Sequence, residues 1–290
     1  VHEAIEQTFS LFNGQRIALK SWGDPKSPPL LAMHGWLDNL ASFEGLAPLL
    51  AKTHYVVAID LPGHGLSDPA PPGYIHLLDT VGIVTQLLDN LGWGRTAILG
   101  HSLGAAIGCL VAGTFPERVS QLCLIDALGP YTCPSGQTAA HVRKVIEDYQ
   151  SLSRKKTPLY LNTASAVAAR LRVTPMSEMG AKALVHRGLK KEGETYRWRT
   201  DQRLTVPPMS MLSEEQLESF LKQITAAACL IRPDGGWPFG EALFKSRTAC
   251  FKHLAVHCMA GNHHVHIDQP EKVASVFQTF LQNDQGRQRL

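Results

Sequence analysis

The sequence predicts an α/β fold: a mostly parallel sheet with helices on both faces and a helical insertion. Three observations carry this. Several short segments are apolar throughout, as in Leu30-Leu31-Ala32-Met33 and Tyr55-Val56-Val57-Ala58-Ile59. Strands that do not alternate apolar and polar residues are buried on both faces, the mark of parallel sheets. These segments alternate with stretches of helical spacing, as βαβ units require. One of them, Thr96-Ala97-Ile98-Leu99, runs into Gly100-His101-Ser102-Leu103-Gly104 and then into a small-residue helical stretch.

Along the chain, residues 8–22 read as a hairpin turned by Asn13-Gly14, a pair suited to a turn with positive φ. Strands follow at 30–33 and 55–60, a helix at 75–91, and strands at 95–99 and 121–125. The rhythm then breaks. Residues 129–208 carry helical fragments, many basic side chains and no clear buried strand. The sheet resumes at 226–231, a last strand is expected at 253–258, and a closing helix at 271–281. The expected organisation is therefore one core, residues 1–128 and 209–290, interrupted by a helical block at 129–208.

Composition narrows the function. A chain of 290 residues with 44% hydrophobic and 18% charged residues fits a globular protein. A formal charge of +3 is too small to indicate nucleic-acid binding. No apolar run approaches the ~18 residues that suggest a membrane span. The first residues lack the basic and apolar regions of an export signal, so the expected location is cytoplasmic. The six cysteines include no C-x-x-C pair. Cys109, Cys123 and Cys229 lie in apolar runs and read as small buried residues in a reducing compartment.

Ser102 is the candidate nucleophile. A serine hydroxyl is weak at neutral pH and needs a base, a group that orients the base, and donors for an oxyanion. G-x-S-x-G between a strand and a helix is the nucleophile-elbow pattern; the bland alternative is a turn made by small residues.

With three further segments, the chain resembles the α/β-hydrolase family over nearly the whole core. His34-Gly35-Trp36 resembles its His-Gly oxyanion loop, which implies the backbone amides of Trp36 and Leu103 as oxyanion donors. The stretch 60–68, Asp60-Leu61-Pro62-Gly63-His64-Gly65-Leu66-Ser67-Asp68, resembles the family's D-x-x-G-x-G-x-S loop, which implies structural roles for Asp60 and His64. The stretch 261–271 resembles its G-H-x-x-H-[LI]-[DE]-x-P segment. That register selects His263 as the base, with Asn262 standing where the family has glycine. Three histidines at 263, 264 and 266 also suggest metal binding. His263 and His266 lack carboxylate or cysteine company at ligand spacing, so no metal site is expected.

Two carboxylates compete for the orienting role. The family's usual acid follows the strand after the cap, which implies Asp234. The usual loop, however, puts the carboxylate where this chain has Gly236. Haloalkane dehalogenases and other branches draw the acid from the end of the preceding strand, here Asp126. The pattern as a whole resembles the serine-hydrolase-like branch, whose cap-exit loop lacks a fixed carboxylate. Asp126 is preferred, with Asp234 as the alternative.

The resemblance implies a cap in residues 129–208. Residues 131–205 hold 14 Lys and Arg against 6 Asp and Glu, a balance that suits an anionic substrate, an acidic membrane surface or ordinary solvated helix faces. The expected function is serine hydrolysis of a carboxylic ester or related acyl substrate through an acyl-enzyme, with a small-molecule partner and no cofactor. Ser102 at the elbow argues against dehalogenase and epoxide hydrolase chemistry, which use aspartate there. Perhydrolysis and cleavage of thioesters, lactones or carbon–carbon bonds are the nearer alternatives. A non-catalytic binding protein is the other class, but its usual mark is a lost nucleophile or base, and both are present.

Overall fold

The computed structural model describes residues 3–155 and 157–285. Among them, an eight-stranded sheet runs in the order β1-β2-β4-β3-β5-β6-β9-β10. The strands are β1 (Ile5–Ser10), β2 (Arg16–Trp22), β3 (Pro29–Met33), β4 (Tyr55–Ile59), β5 (Thr96–His101), β6 (Val119–Ile125), β9 (Ala227–Gly235) and β10 (Leu254–Asn262). The strands from β4 to β10 in that order pair in parallel, whereas β1–β2 and β2–β4 are antiparallel. The hairpin turns at Gly14, whose φ is 81°.

Successive residues of β3 face opposite sides, as a strand's two-residue period requires. Leu31 and Met33 enter one apolar layer with helices α2 (Asp79–Asn90), α3 (Leu103–Thr114) and α7 (Glu214–Leu221). Leu30 and Ala32 enter the other, with α1 (Ala47–Leu50) and α10 (Pro270–Gln285). Cys109, Cys123 and Cys229 are buried in these layers.

The chain between β6 and β9 holds α4 (Thr138–Leu152), α5 (Thr163–Val173) and α6 (Glu178–Gly188), then the hairpin β7 (Leu189–Glu192) and β8 (Thr195–Trp198), and lastly α7. Helices α5 and α6 and the hairpin share a small apolar cluster of their own around Ala166, Val167, Ala181, Val185 and Leu189. After β9 come α8 (Glu241–Ala249) and, beyond β10, the short α9 (Val265–Asp268). Among the described residues, no helix is long and apolar enough to cross a membrane.

Three expectations need correction. The helix expected over 75–91 begins at Asp79, because the Ile75 carbonyl accepts from Met209 N, 3.1 Å, and residues 77 and 78 form a turn. The hairpin β7–β8 was not foreseen; its strands carry Lys190, Lys191 and Glu192 and do not read as buried. The last strand extends past residue 258 to Asn262, through a register shift between Met259 and Asn262.

Candidate active site

The site lies where parallel strands end, the edge at which open α/β sheets gather ligands. Strand β5 passes through Ser102 into α3. Ser102 has φ 51° and ψ −110°, and its amide donates to Ile125 O, 2.9 Å. Both flanking glycines are dictated by close approach. A Cβ on Gly104 would lie 1.9 Å from Met33 O, and one on Gly100 would lie 2.3 Å from Ala105 N. The helix therefore starts hard against the ends of β3 and β5 and projects Ser102 from the turn.

Three non-glycine residues among those described have positive φ: Leu37 at 59°, Ser102 at 51° and Asp126 at 54°. Such conformations cost of order 1–3 kcal/mol each and collect at functional sites. Here they belong to the loop after β3, the elbow and the end of β6.

His263 follows β10. Its Nδ1 lies 2.5 Å from Asp126 Oδ2, with the Asp126 side chain 2% exposed and the His263 side chain 17%. The same carboxylate oxygen accepts from Trp237 N, 2.7 Å. A Cβ on Gly236 would lie 2.6 Å from both Asp126 oxygens. Glycine at 236 thus leaves the space that the Asp126 carboxylate fills. Asp234 is exposed and turned away, accepting from Gly261 N, 2.9 Å, where it ties the end of β9 to the end of β10. The rings of Trp36, Tyr131 and Trp237 are exposed, and the Trp237 ring lies 5.7 Å from that of Tyr131 and 5.9 Å from that of His263. Among the described residues, Ser102 Oγ makes no hydrogen bond.

The loop after β3 brings Trp36 beside the elbow, because Gly104 N donates to His34 O, 3.0 Å. Neither Trp36 N nor Leu103 N has a hydrogen-bond partner among the described residues, so both donors are unspent. The Trp36 indole donates to Leu204 O, 2.7 Å, linking this loop to the inserted block.

Asp60 and His64 support this loop from beneath. Asp60 Oδ1 accepts from Leu40 N and Oδ2 from Leu66 N, each at 2.8 Å, and Arg187 Nε also donates to Oδ2. His64 Nε2 accepts from Leu37 N, 3.2 Å, while Nδ1–H donates to Pro62 O, 3.0 Å. Burial pushes the His64 pKa down to about 3 and also lowers that of His34, so both rings are neutral acceptors.

Of the other two histidines in the 263–266 segment, neither reaches Asp126. His264 Nε2 lies 2.9 Å from Asp38 Oδ2, and His266 is fully buried with both ring nitrogens unpartnered. Asp38 also pairs with Arg170 of α5. Although burial would raise it, His264, Arg170 and His101 together hold the Asp38 pKa well below the usual carboxylate range. His101 is buried, and desolvation drives its pKa well down. Asp38, His101 and Arg170 were not singled out from sequence. The only local signal is that Asp38 lies two residues after Trp36 and His101 sits inside the elbow.

Comparison with known proteins identifies the family of the fold. Residues 28–154 match the α/β hydrolase fold family. Human serine hydrolase-like protein 2 is 31% identical over 92% of this chain and 90% of its own length. A probable serine hydrolase of Drosophila melanogaster is 30% identical over 91% of this chain and 84% of its own. Among solved structures, a hypothetical protein of Pseudomonas aeruginosa PAO1 superposes with TM-score 0.87 at 34% identity, covering 97% of this chain and 99% of that one. The thioesterase domain from the curacin biosynthetic pathway gives TM-score 0.81 at 25% identity, over 94% and 98% of the two chains. With relatives matched nearly end to end, the chain belongs to the α/β-hydrolase family, among its serine hydrolase-like members.

Proposed function

We propose that the protein is a serine hydrolase cleaving a carboxylic ester or related acyl compound through an acyl-enzyme. The observation that carries this reading is the contact of His263 Nδ1 with buried Asp126, 2.5 Å, beside a serine held at positive φ. In this reading Ser102 Oγ attacks the acyl carbonyl while His263 Nε2 takes its proton. Asp126 fixes the tautomer by accepting from Nδ1–H and stabilises the imidazolium that forms. The oxyanion is received by Trp36 N and Leu103 N, helped by the positive end of α3. His263 then protonates the leaving group. A water deprotonated by the same imidazole attacks the acyl-enzyme, and the acid leaves with Ser102 restored.

Residues 129–208 act as a cap in this reading: the Trp36–Leu204 bond ties them to the oxyanion loop, and the Tyr131 ring packs edge-on against that of Trp237, 5.7 Å. Thioesters fall within the same acyl chemistry, and the curacin thioesterase domain is a neighbour at 25% identity.

A fluorophosphonate probe should label Ser102 stoichiometrically, and Ser102→Ala should lose both labelling and turnover of nitrophenyl esters while staying folded. A series of acyl lengths would then define the pocket. Near-wild-type hydrolysis by Ser102→Ala would end this reading. Failure of the wild type to label would favour a non-catalytic binding protein on the same scaffold.

A further inference from the structure

On the buried side of the 263–266 turn lies a second cluster that the hydrolytic reading does not use. Asp38 comes from the loop after β3, His101 from the elbow and His264 from the start of α9. Their side chains are 0–3% exposed. Asp38 Oδ2, His101 Nδ1 and His264 Nε2 all lie within 4.8 Å of one another. Oδ2 is 2.9 Å from His264 Nε2 and 3.7 Å from His101 Nδ1. Tetrahedral ligands at the usual 2.0–2.2 Å bond lengths stand about 3.4 Å apart, between those two distances.

The protonation pattern is that of a ligand set. His101 Nε2–H donates to His263 O, 2.9 Å, which leaves the lone pair on Nδ1. That nitrogen has no hydrogen-bond partner among the described residues, and it faces a carboxylate oxygen. Two buried acceptors facing each other are unfavourable unless a cation lies between them. A backbone carbonyl holding the second N–H of an imidazole is the usual support behind a metal-binding histidine. Arg170 holds the other Asp38 oxygen, Oδ1, and so orients Oδ2. Without metal, His264 Nε2–H donates to Asp38 Oδ2; among the described residues its Nδ1 is unpartnered, so the ring proton can move there while Nε2 binds metal. Gly35 keeps the space open, since a Cβ there would lie 2.7 Å from His101 Nδ1 and 3.0 Å from Asp38 Oδ2.

We propose that Asp38, His101 and His264 form a buried site for one divalent transition-metal ion of the zinc class. Two imidazoles and one carboxylate suit Zn²⁺ or Co²⁺ and not the all-oxygen preference of Mg²⁺ or Ca²⁺. The site includes neither Ser102 nor Asp126, so it stands or falls independently of the hydrolytic reading.

The test uses the full chain, stripped with a chelator, equilibrated or refolded with Zn²⁺ alone, and desalted. One ion per chain should remain. Co²⁺ in its place should give visible d–d absorption without a thiolate charge-transfer band, and X-ray absorption should report two imidazoles and oxygen. Asp38→Asn and His264→Gln, checked for folding by circular dichroism, should each weaken binding on the order of 100-fold. His257→Ala, at an exposed histidine on β10, should not. No retained ion after refolding in excess Zn²⁺ would overturn the proposal. So would equal binding by the folded Asp38 and His264 variants, or a cobalt–thiolate band. If both variants misfold, the wild-type X-ray absorption decides: a shell without two imidazoles also overturns it.

Discussion

The exits of β6 and β9 are neighbours on one edge of the sheet, and each carries an aspartate. Asp126 follows β6 directly, is 2% exposed in its side chain, and meets both His263 Nδ1 and Trp237 N. Asp234 lies within the exposed end of β9 and accepts a single bond, from Gly261 N. Both carboxylates hold a neighbouring segment in place. Only the first is desolvated and pointed at an imidazole, where a fixed negative charge has most effect on a developing imidazolium. Closeness to the sheet edge therefore does not decide which carboxylate meets the imidazole; burial and the direction of the side chain do.

The strongest way to break this contrast is to neutralise each aspartate in turn. Asp126→Asn should lower kcat by roughly 10⁴, as expected when the base is left in the wrong tautomer. Asp234→Asn should stay within several-fold of wild type, because it disturbs only the junction of β9 with β10. Steady-state kinetics on a nitrophenyl ester decide this, and a larger loss in the Asp234 variant would reverse the assignment.

The two faces of the histidine turn extend the comparison. His263→Ala should cost about 10³-fold or more in kcat. His264→Ala should cost far less, because its ring meets Asp38 and not the Asp126 carboxylate. Equal losses would shift the register of the base by one residue.

A subtler perturbation acts through glycine. At Gly236 a methyl group would lie 2.6 Å from both oxygens of Asp126, so Gly236→Ala must move the carboxylate or the loop. A 1 Å displacement of an orienting group can cost on the order of 100-fold. The expected signature is a fall in kcat of about 10- to 100-fold with KM little changed. Wild-type kcat in this variant would mean that the β9 exit loop yields freely.

Much of this arrangement is legible in the sequence, and the limits have physical causes. Unbroken apolar runs reveal the central strands because a strand covered on both faces cannot alternate. The elbow reveals Ser102 because two close approaches demand glycine on either side of it. The carboxylate partner of His263 is not legible locally: two neighbouring strand ends each carry an aspartate, and only their three-dimensional reach separates them. Asp38 and Arg170 meet across 132 residues of chain, so no spacing announces them. The hairpin at 189–198 escapes because its strands are short, charged and only partly buried. Helix α8 escapes because it buries little apolar surface, its one buried residue being Arg247.

The smallest expected effect concerns stability and contrasts the buried neutral histidines around the site with histidines exposed elsewhere. His34, His64, His101 and His266 are buried with pKa values below the ordinary 6.5, driven down first by desolvation. Below about pH 6.5 the unfolded chain binds protons that these folded rings refuse, so stability falls as the pH drops. For His64 the loss runs from about 6.5 down to its folded value of about 3. Asp38 adds a further loss below the usual carboxylate value of 3.8, since its folded pKa is also depressed. Each histidine contributes at most about 1.4 kcal/mol per pH unit inside its window. Urea unfolding midpoints should therefore hold steady above pH 7 and decline between pH 6.5 and 5. His64→Gln can still accept from Leu37 N through its amide oxygen, and it should flatten that decline by about one proton's worth. An unchanged midpoint from pH 7.5 to 5 would mean that these rings are protonated in the folded protein, and the supports under the loop after β3 would then have to be redrawn as charged donors.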